Sequence, residues 1–548
     1  MKLRVLKALS TIVALMAGTA VVAQQTVPTA DPSAEARWLA QAYWQIPDSP
    51  PVSLVASAVN AKRSCDDLSH ASLPESMTVA SVMTMPTDAF NAAPWCKVAV
   101  RMAHPPASSI ATAWIGLPLQ GWNGRFLGLG GGGWQAGIPA GLSPAVAKGF
   151  AVGLTDAGHP LDGAMGMNPK IIGDASFVLD ADGRLDWSAV RNFAYLGIHD
   201  MTLVGKALTT AFYTAPPRYS YFSGCSTAGR QGQSEVQRFP ADYDGVLSAA
   251  PAINWTHFLT AAQWSQLVMH DIQPVAKCKL EAARTAAIEA CDADDGFKDN
   301  VVNNPYACTF DPRKLIGLQT ACGTIDAKDA DVIRLIWDGP RRRDGSFMWY
   351  SQTRSTTFDF GGRTSGDPLQ GVPNPIVLGW LRYFLKQNPR YDPQNLDHAG
   401  FEQLYDQALE QFGAAMDTSN PDIGAFAARG GKTLIWHGLD DNNFPAAGSI
   451  HYVDAIKARL GEATANKAVR FFLAPGNDHC GGGTGPNPTH MLDALIEWVE
   501  KGRAPEQLVA APNPAAKVPH SGLLCAYPRR AVLVDRKQPI GAASYRCE

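Results

Sequence analysis

The chain has 548 residues, a formal net charge of −3, and 46% hydrophobic against 18% charged residues. No basic stretch is concentrated enough for nucleic acid, since Arg341-Arg342-Arg343 reads as a solvated turn beside Asp344-Gly345. The length is large for one hydrophobic core and suggests a main domain carrying a large insertion.

The N-terminus reads as an export signal over residues 1–23. Lys2, Arg4 and Lys7 form a basic region, an apolar run extends from Ala8 to about Val22, and Ala23 offers a small residue at a cleavage point. Removing those basic residues leaves a more acidic mature chain, expected to be secreted or periplasmic and free of the membrane. No other segment approaches the roughly eighteen uninterrupted apolar residues of a spanning helix. Ten cysteines, an even number, agree with an oxidising compartment.

From about Asp66 to Ala250 short apolar runs alternate with helical stretches, the pattern of an α/β sheet. Predicted strands are Ala111–Leu117, Arg125–Leu129, Phe150–Leu154 and Tyr219–Phe222; predicted helices are Tyr195–Thr210 and Arg230–Phe239. The alternation stops near Trp255. It resumes at Lys432–Trp436 and Val469–Leu473, followed by an amphipathic helix around Met491–Glu500. The expected organisation is an α/β core over 24–254 and 426–505, an inserted lid over 255–425 and a C-terminal tail over 506–548.

Ser226 lies in Gly224-Cys225-Ser226-Thr227-Ala228, between a β-like run and a helical stretch. That is the context of a nucleophile elbow, a strained turn needing small residues two before and two after the serine. Gly224 meets the first demand, and Ala228 stands where glycine is usual. Downstream strands end in Asp440-Asp441 and in Asp478-His479, giving the order Ser, Asp, His of an α/β-hydrolase triad. Asp440 and Asp441 compete for the acid. His437 reads as a structural histidine.

Cys225 directly precedes Ser226, and Cys480 directly follows His479. A bridge between them would hold the two Cα atoms roughly 4.4–6.8 Å apart and make Ser226 and His479 neighbours. Connectivity does not follow from sequence in general. Spacing suggests Cys65–Cys96, Cys291–Cys308 and Cys525–Cys547 as local loops, which leaves Cys278 and Cys322 by elimination.

Gly128-Leu129-Gly130-Gly131-Gly132-Gly133 imitates a dinucleotide-binding fingerprint, but Trp134–Pro139 is a poor helix start, so no organic cofactor is expected. The run reads as an oxyanion loop, with backbone N–H groups of Gly133 (Gly132 next) and Thr227 as donors. In the insertion, Asp292, Asp294, Asp295 and Asp299 crowd one short loop that Cys291–Cys308 would clasp. The loop lacks the EF-hand glycine and glutamate. Side chains of Asp292, Asp295 and Asp299 with carbonyls of Phe297 and Val301 could hold a calcium ion, and a site so distant in sequence from Ser226 is expected to be structural.

Together these residues resemble the tannase/feruloyl esterase family of secreted α/β hydrolases. The resemblance runs from about Cys65 to Cys547 and includes Trp122–Phe126, Thr155–His159, Gly224-Cys225-Ser226, Arg238-Phe239-Pro240, Tyr243-Asp244-Gly245, the Asp292–Val301 loop, His437–Asp441 and His479-Cys480. It implies an α/β-hydrolase core with a calcium-bearing lid, and a disulfide joining the neighbours of Ser226 and His479. It also implies Asp441 as the acid, the five calcium ligands above and Gly133 as oxyanion donor.

The implied activity is hydrolysis of an aromatic-acid ester, galloyl, feruloyl or mono(2-hydroxyethyl) terephthalate, presented as a small molecule or on an esterified plant polymer. Specificity candidates within Trp349–Leu381 include Trp349, Tyr350, Phe358, Phe360, Arg363 and Trp380. The competing readings are a peptidase on the same fold and a catalytically silent, calcium-stabilised binding protein for aromatic or plant polymers.

Overall fold

The computed structural model describes residues 39–46, 58–161, 166–536 and 540–548, so the predicted signal segment 1–23 lies outside the described residues. No helix among the described residues is long and apolar enough to cross a membrane.

Nine strands form one sheet in the order β1-β2-β3-β5-β4-β6-β7-β8-β9. They are β1 (Met77–Met85), β2 (Trp95–Met102), β3 (Ala111–Pro118), β4 (Arg125–Leu129), β5 (Ala151–Thr155), β6 (Tyr219–Ser226), β7 (Gly245–Pro251), β8 (Lys432–Gly438) and β9 (Val469–Ala474). The pairs β1–β2, β2–β3 and β3–β5 are antiparallel. From β5 through β4 to β9 every pairing is parallel. Every residue of β4, β5 and β7 is buried, as expected where both faces of a parallel sheet are covered.

The helices that frame the site are α1 (Gly197–Tyr213), α2 (Thr227–Arg238), α3 (Trp255–Ala261), α4 (Lys277–Cys291), α5 (His398–Met416), α6 (Ala447–Leu460) and α7 (Met491–Lys501). α2 begins at Thr227, three residues before the sequence expectation, because the chain turns into helix directly after Ser226. A wider helical turn over Asn192–Leu196 precedes α1.

The strands β7 and β8 are hydrogen-bonded neighbours, yet the whole insertion runs between them. It builds a second hydrophobic core, and that core also takes in Trp134, Val178 and Phe193 from the first part of the chain. Five disulfides pair all ten cysteines: Cys65–Cys96, Cys225–Cys480, Cys278–Cys322, Cys291–Cys308 and Cys525–Cys547. The C-terminal tail forms two small antiparallel ribbons and touches β9 through a bridge between Phe472 and Ala526.

Candidate active site

Ser226 ends β6 at φ 63°, ψ −122°, a left-handed φ that a non-glycine residue adopts only under constraint. The constraint is crowding. A Cβ on Gly224 would lie 2.2 Å from the Ala228 methyl, and one on Gly130 would lie 2.6 Å from it. Ala228 is therefore accommodated because its methyl fills space that two glycines leave open.

The first turn of α2 is tied to the glycine run. Ala228 N–H donates to the Gly131 carbonyl (2.9 Å), and Thr227 Oγ1 donates to the Gly133 carbonyl (2.8 Å). Gly133 has φ +56°, and a Cβ there would strike Ile172 at 2.6–2.7 Å. Beyond it the chain closes a turn, Gln135 N–H to Gly132 O at 3.0 Å, rather than starting a helix. A dinucleotide fingerprint would instead open a helix within its glycines. Thr227, as first residue of α2, has an N–H without an intrahelical acceptor. Two supports of this loop were missed in the sequence: Tyr43 OH donates to Gly131 O (2.7 Å) and Trp44 Nε1 to Gly130 O (3.1 Å). Their signal, two adjacent aromatics far upstream, carries no spacing relation to the glycines.

Asp441 follows β8, and its carboxylate is fully enclosed. Its Oδ1 accepts N–H groups of Asn443 (2.8 Å) and Phe444 (3.1 Å); its Oδ2 accepts His479 Nδ1 (2.8 Å) and His437 Nε2 (3.1 Å). Burial works against the charge. The His479 charge and the hydrogen bonds from both histidines outweigh it and hold the carboxyl well below its usual range. His437 completes its own pairing with Ser449 Oγ (2.9 Å), so it is a buried brace for the acid. The sequence signal for that brace is its place four residues before Asp441.

Asp440 points the other way, into the insertion, where Ser355 Oγ and Thr353 Oγ1 donate to it. Thr353 Oγ1 also reaches the Leu439 carbonyl, and Asn442 Nδ2 donates to Thr357 Oγ1. The acid-bearing turn is thus laced to one segment of the insertion.

The Cys225–Cys480 bridge, with Cα atoms 5.7 Å apart, ties the neighbours of Ser226 and His479 together. A ring nitrogen of His479 lies within 4.8 Å of both sulfurs, and Phe444 packs edge-on to the ring with centroids 4.8 Å apart. The structure therefore gathers Ser226, Asp441, His479, Gly133 and Thr227 at the ends of β4, β6, β8 and β9. Of the predicted specificity side chains, four aromatics are packed against other groups. Trp380, Phe358 and Phe360 are buried in the second core, and Trp349 stacks on His257.

The acidic loop follows α4. Asp292 accepts backbone N–H groups of Asp299, Asn300 and Val301; Asp295 accepts Phe297 N–H, and Asp299 accepts Val301 N–H. No described hydrogen bond ends on the carbonyl oxygens of Phe297 or Val301. Burial, with the charges of Asp292 and Asp295, pushes Asp299 up to about 7. Three carboxylates and two unclaimed carbonyls are oxygen donors of the kind a hard divalent cation takes, with Asp299 Oδ2 also 3.3 Å from His520 Nε2. The loop is far from Ser226 in sequence but not from the histidine loop in space. Thr484 Oγ1 donates to the Asn300 carbonyl (3.0 Å), and Val301 lies 3.0 Å from where a Gly476 Cβ would be.

A mostly parallel sheet with a serine elbow after β6, an acid after β8 and a histidine after β9 defines an α/β hydrolase. Residues 96–548 match the family described as tannase and feruloyl esterase. A probable feruloyl esterase of Arthroderma benhamiae is 38% identical over 450 residues, 79% of this chain and 82% of that protein. The mono(2-hydroxyethyl) terephthalate hydrolase of Piscinibacter sakaiensis is 30% identical over 480 residues, 75% and 77% of the two chains. The structure of a tannin acyl hydrolase from Aspergillus niger superposes with a TM-score of 0.76 at 25% identity, over 87% of this chain and 93% of that one. The chain belongs to the tannase and feruloyl esterase family and is a carboxylic ester hydrolase.

Proposed function

We propose that the enzyme cleaves aromatic-acid esters, feruloyl or galloyl, by an acyl-enzyme route through Ser226, His479 and Asp441. The observation that carries this is the 2.8 Å pairing of His479 with Asp441 on a loop bridged covalently to the neighbour of Ser226. Ser226 attacks the ester carbonyl while His479 Nε2 takes its proton; Asp441 holds Nδ1–H and stabilises the imidazolium. N–H groups of Gly133 and Thr227 receive the developing oxyanion, each donor being worth about 2.7–4 kcal/mol. His479 then protonates the departing alcohol, and water deacylates the serine by the reverse sequence.

The feruloyl choice is supported by the 38% relative, while the terephthalate hydrolase at 30% supports the same aromatic acyl chemistry with another alcohol. Asp292, Asp295, Asp299 and the carbonyls of Phe297 and Val301 would hold calcium, which supplies charge neutralisation and rigidity to the loop behind His479. The residue order and the five disulfides support an exported enzyme.

Turnover of methyl ferulate, methyl gallate and mono(2-hydroxyethyl) terephthalate is the test. Methyl ferulate should be cleaved fastest, and Ser226→Ala should abolish turnover while leaving the melting transition nearly unchanged. Comparable residual activity in that variant would overturn the triad. Absence of any ester cleavage by the parent protein would revive the silent binder, and cleavage of peptides would favour the peptidase.

A further inference from the structure

Away from Ser226, a groove of about 730 Å³ is lined by residues of the 104–109 and 180–196 segments. Trp187 stands in it with 42% of its surface exposed, and is the one tryptophan among the described residues counted with the exposed large apolar side chains. One face of its indole is backed by Phe412, with ring centroids 5.6 Å apart and planes at 22°. The opposite face is not covered in that way, and no described hydrogen bond uses its Nε1–H. Beside it Arg191 is exposed, and its guanidinium has no described hydrogen bond or ion pair.

The other charged groups lining the groove have partners, although the serine hydroxyls on Asp186 leave its negative charge in place. Asp186 is held by Ser108 and Ser188 hydroxyls (2.5 Å each), Asp180 lies 3.6 Å from Arg184, and His104 bonds Asp200 at 2.6 Å. What the groove offers is therefore a flat apolar ring with one N–H donor, next to an unpaired planar cation.

We infer that this groove is a non-catalytic binding site for an acidic oligosaccharide, one uronic-acid ring lying on Trp187 with its carboxylate on Arg191. The C–H face of a pyranose matches an indole face, the ring hydroxyls can accept Nε1–H, and a guanidinium forks onto a carboxylate with two parallel hydrogen bonds. The volume falls in the range, roughly 300–1,000 Å³, that encloses ligands larger than a single aromatic acid. Phe193 lies between this groove and the glycine loop, two residues from Arg191 and packed on Trp134 (centroids 5.3 Å apart). A bound chain would hold ester groups near the enzyme and raise their local concentration rather than take part in the chemistry. The inference does not depend on the triad assignment.

The test uses the full-length Ser226→Ala protein, titrated calorimetrically with tetragalacturonic acid, xylotetraose and ferulate. Tetragalacturonic acid should bind, quench tryptophan fluorescence and bind more tightly than xylotetraose. Trp187→Ala and Arg191→Gln should each weaken it by about tenfold or more, with Trp187→Phe less affected than Trp187→Ala. Because Arg191 is exposed, its substitution leaves the fold intact even if Trp187→Ala loosens packing on Phe412. In the Ser226-bearing enzyme both substitutions should leave methyl ferulate turnover within about twofold. No binding of tetragalacturonic acid at millimolar concentration, binding unchanged by either substitution, or tighter binding of ferulate or xylotetraose would overturn the inference.

Discussion

Asp441 receives four hydrogen bonds, two from backbone N–H groups and two from imidazoles, and its side chain is fully buried. The second imidazole, His437, has no place in the proton path but shares the oxygen that holds His479. Its removal should matter in a characteristic way. His437→Ala takes away one of the hydrogen bonds on the Asp441 oxygen that also holds His479, so the carboxylate stays ionised at neutral pH but is fixed less firmly against the imidazole. We expect kcat to fall by about tenfold or more with KM little changed, and His437→Gln, which keeps a donor, to recover part of it. A kcat equal to that of the parent would show that Asp441 needs no second support. Reading His437 from sequence as a structural histidine was right about its burial; its contact with the acid depends on how the turn after β8 folds back, which spacing alone leaves open.

Strand ends do the assembling, and this is where the sequence was most legible. The runs at β4, β6, β8 and β9 are rich in aromatic or branched residues, and each predicted run overlaps the observed strand. The strands β1, β2 and β7 were not foreseen, β1 and β7 for two different reasons. β1 is an edge strand with half its residues exposed and a register break between Val79 and Ser81, so its pattern is diluted. β7, Gly-Val-Leu-Ser-Ala-Ala-Pro, is buried throughout but by small residues that carry little β signal. The bridge between β6 and the loop after β9 is covalent where the rest of the arrangement is not. Cys225→Ala with Cys480→Ala should lower kcat more than it raises KM, and should lower the melting temperature. Loop-closure arithmetic for so long a loop puts the stabilisation at roughly 5 kcal/mol. Full-rate turnover without the bridge would mean that hydrogen bonds position His479 unaided.

At the scale of the whole molecule, the chain divides its hydrophobic side chains between two cores. The insertion was visible in sequence as a break in strand–helix alternation, but its partners were not, because Trp134, Val178 and Phe193 belong to segments that precede β6. The acidic loop was legible as a crowd of carboxylates and illegible as a neighbour of the histidine loop, a contact made through Thr484 and Val301. That contact gives calcium removal a definite expectation. Dialysis against EGTA should lower the melting temperature and also reduce kcat, and added Ca²⁺ should restore both; Mg²⁺, which prefers a tighter octahedral shell, should restore less. An unchanged melting curve would remove calcium from the account. Trp134 follows Gly133 directly and is rooted in the other core. It packs on Trp255 (5.0 Å) and Phe384 (4.9 Å), and its Nε1–H donates to the Ile376 carbonyl (3.1 Å). Swinging the insertion away as a body would bare Trp134, Trp255 and Trp380 together. At about 2 kcal/mol for each large apolar side chain, an open form would be populated on the order of one molecule in 10⁴. The insertion is thus a wall and not a door: an ester would have to reach Ser226 past individual side chains.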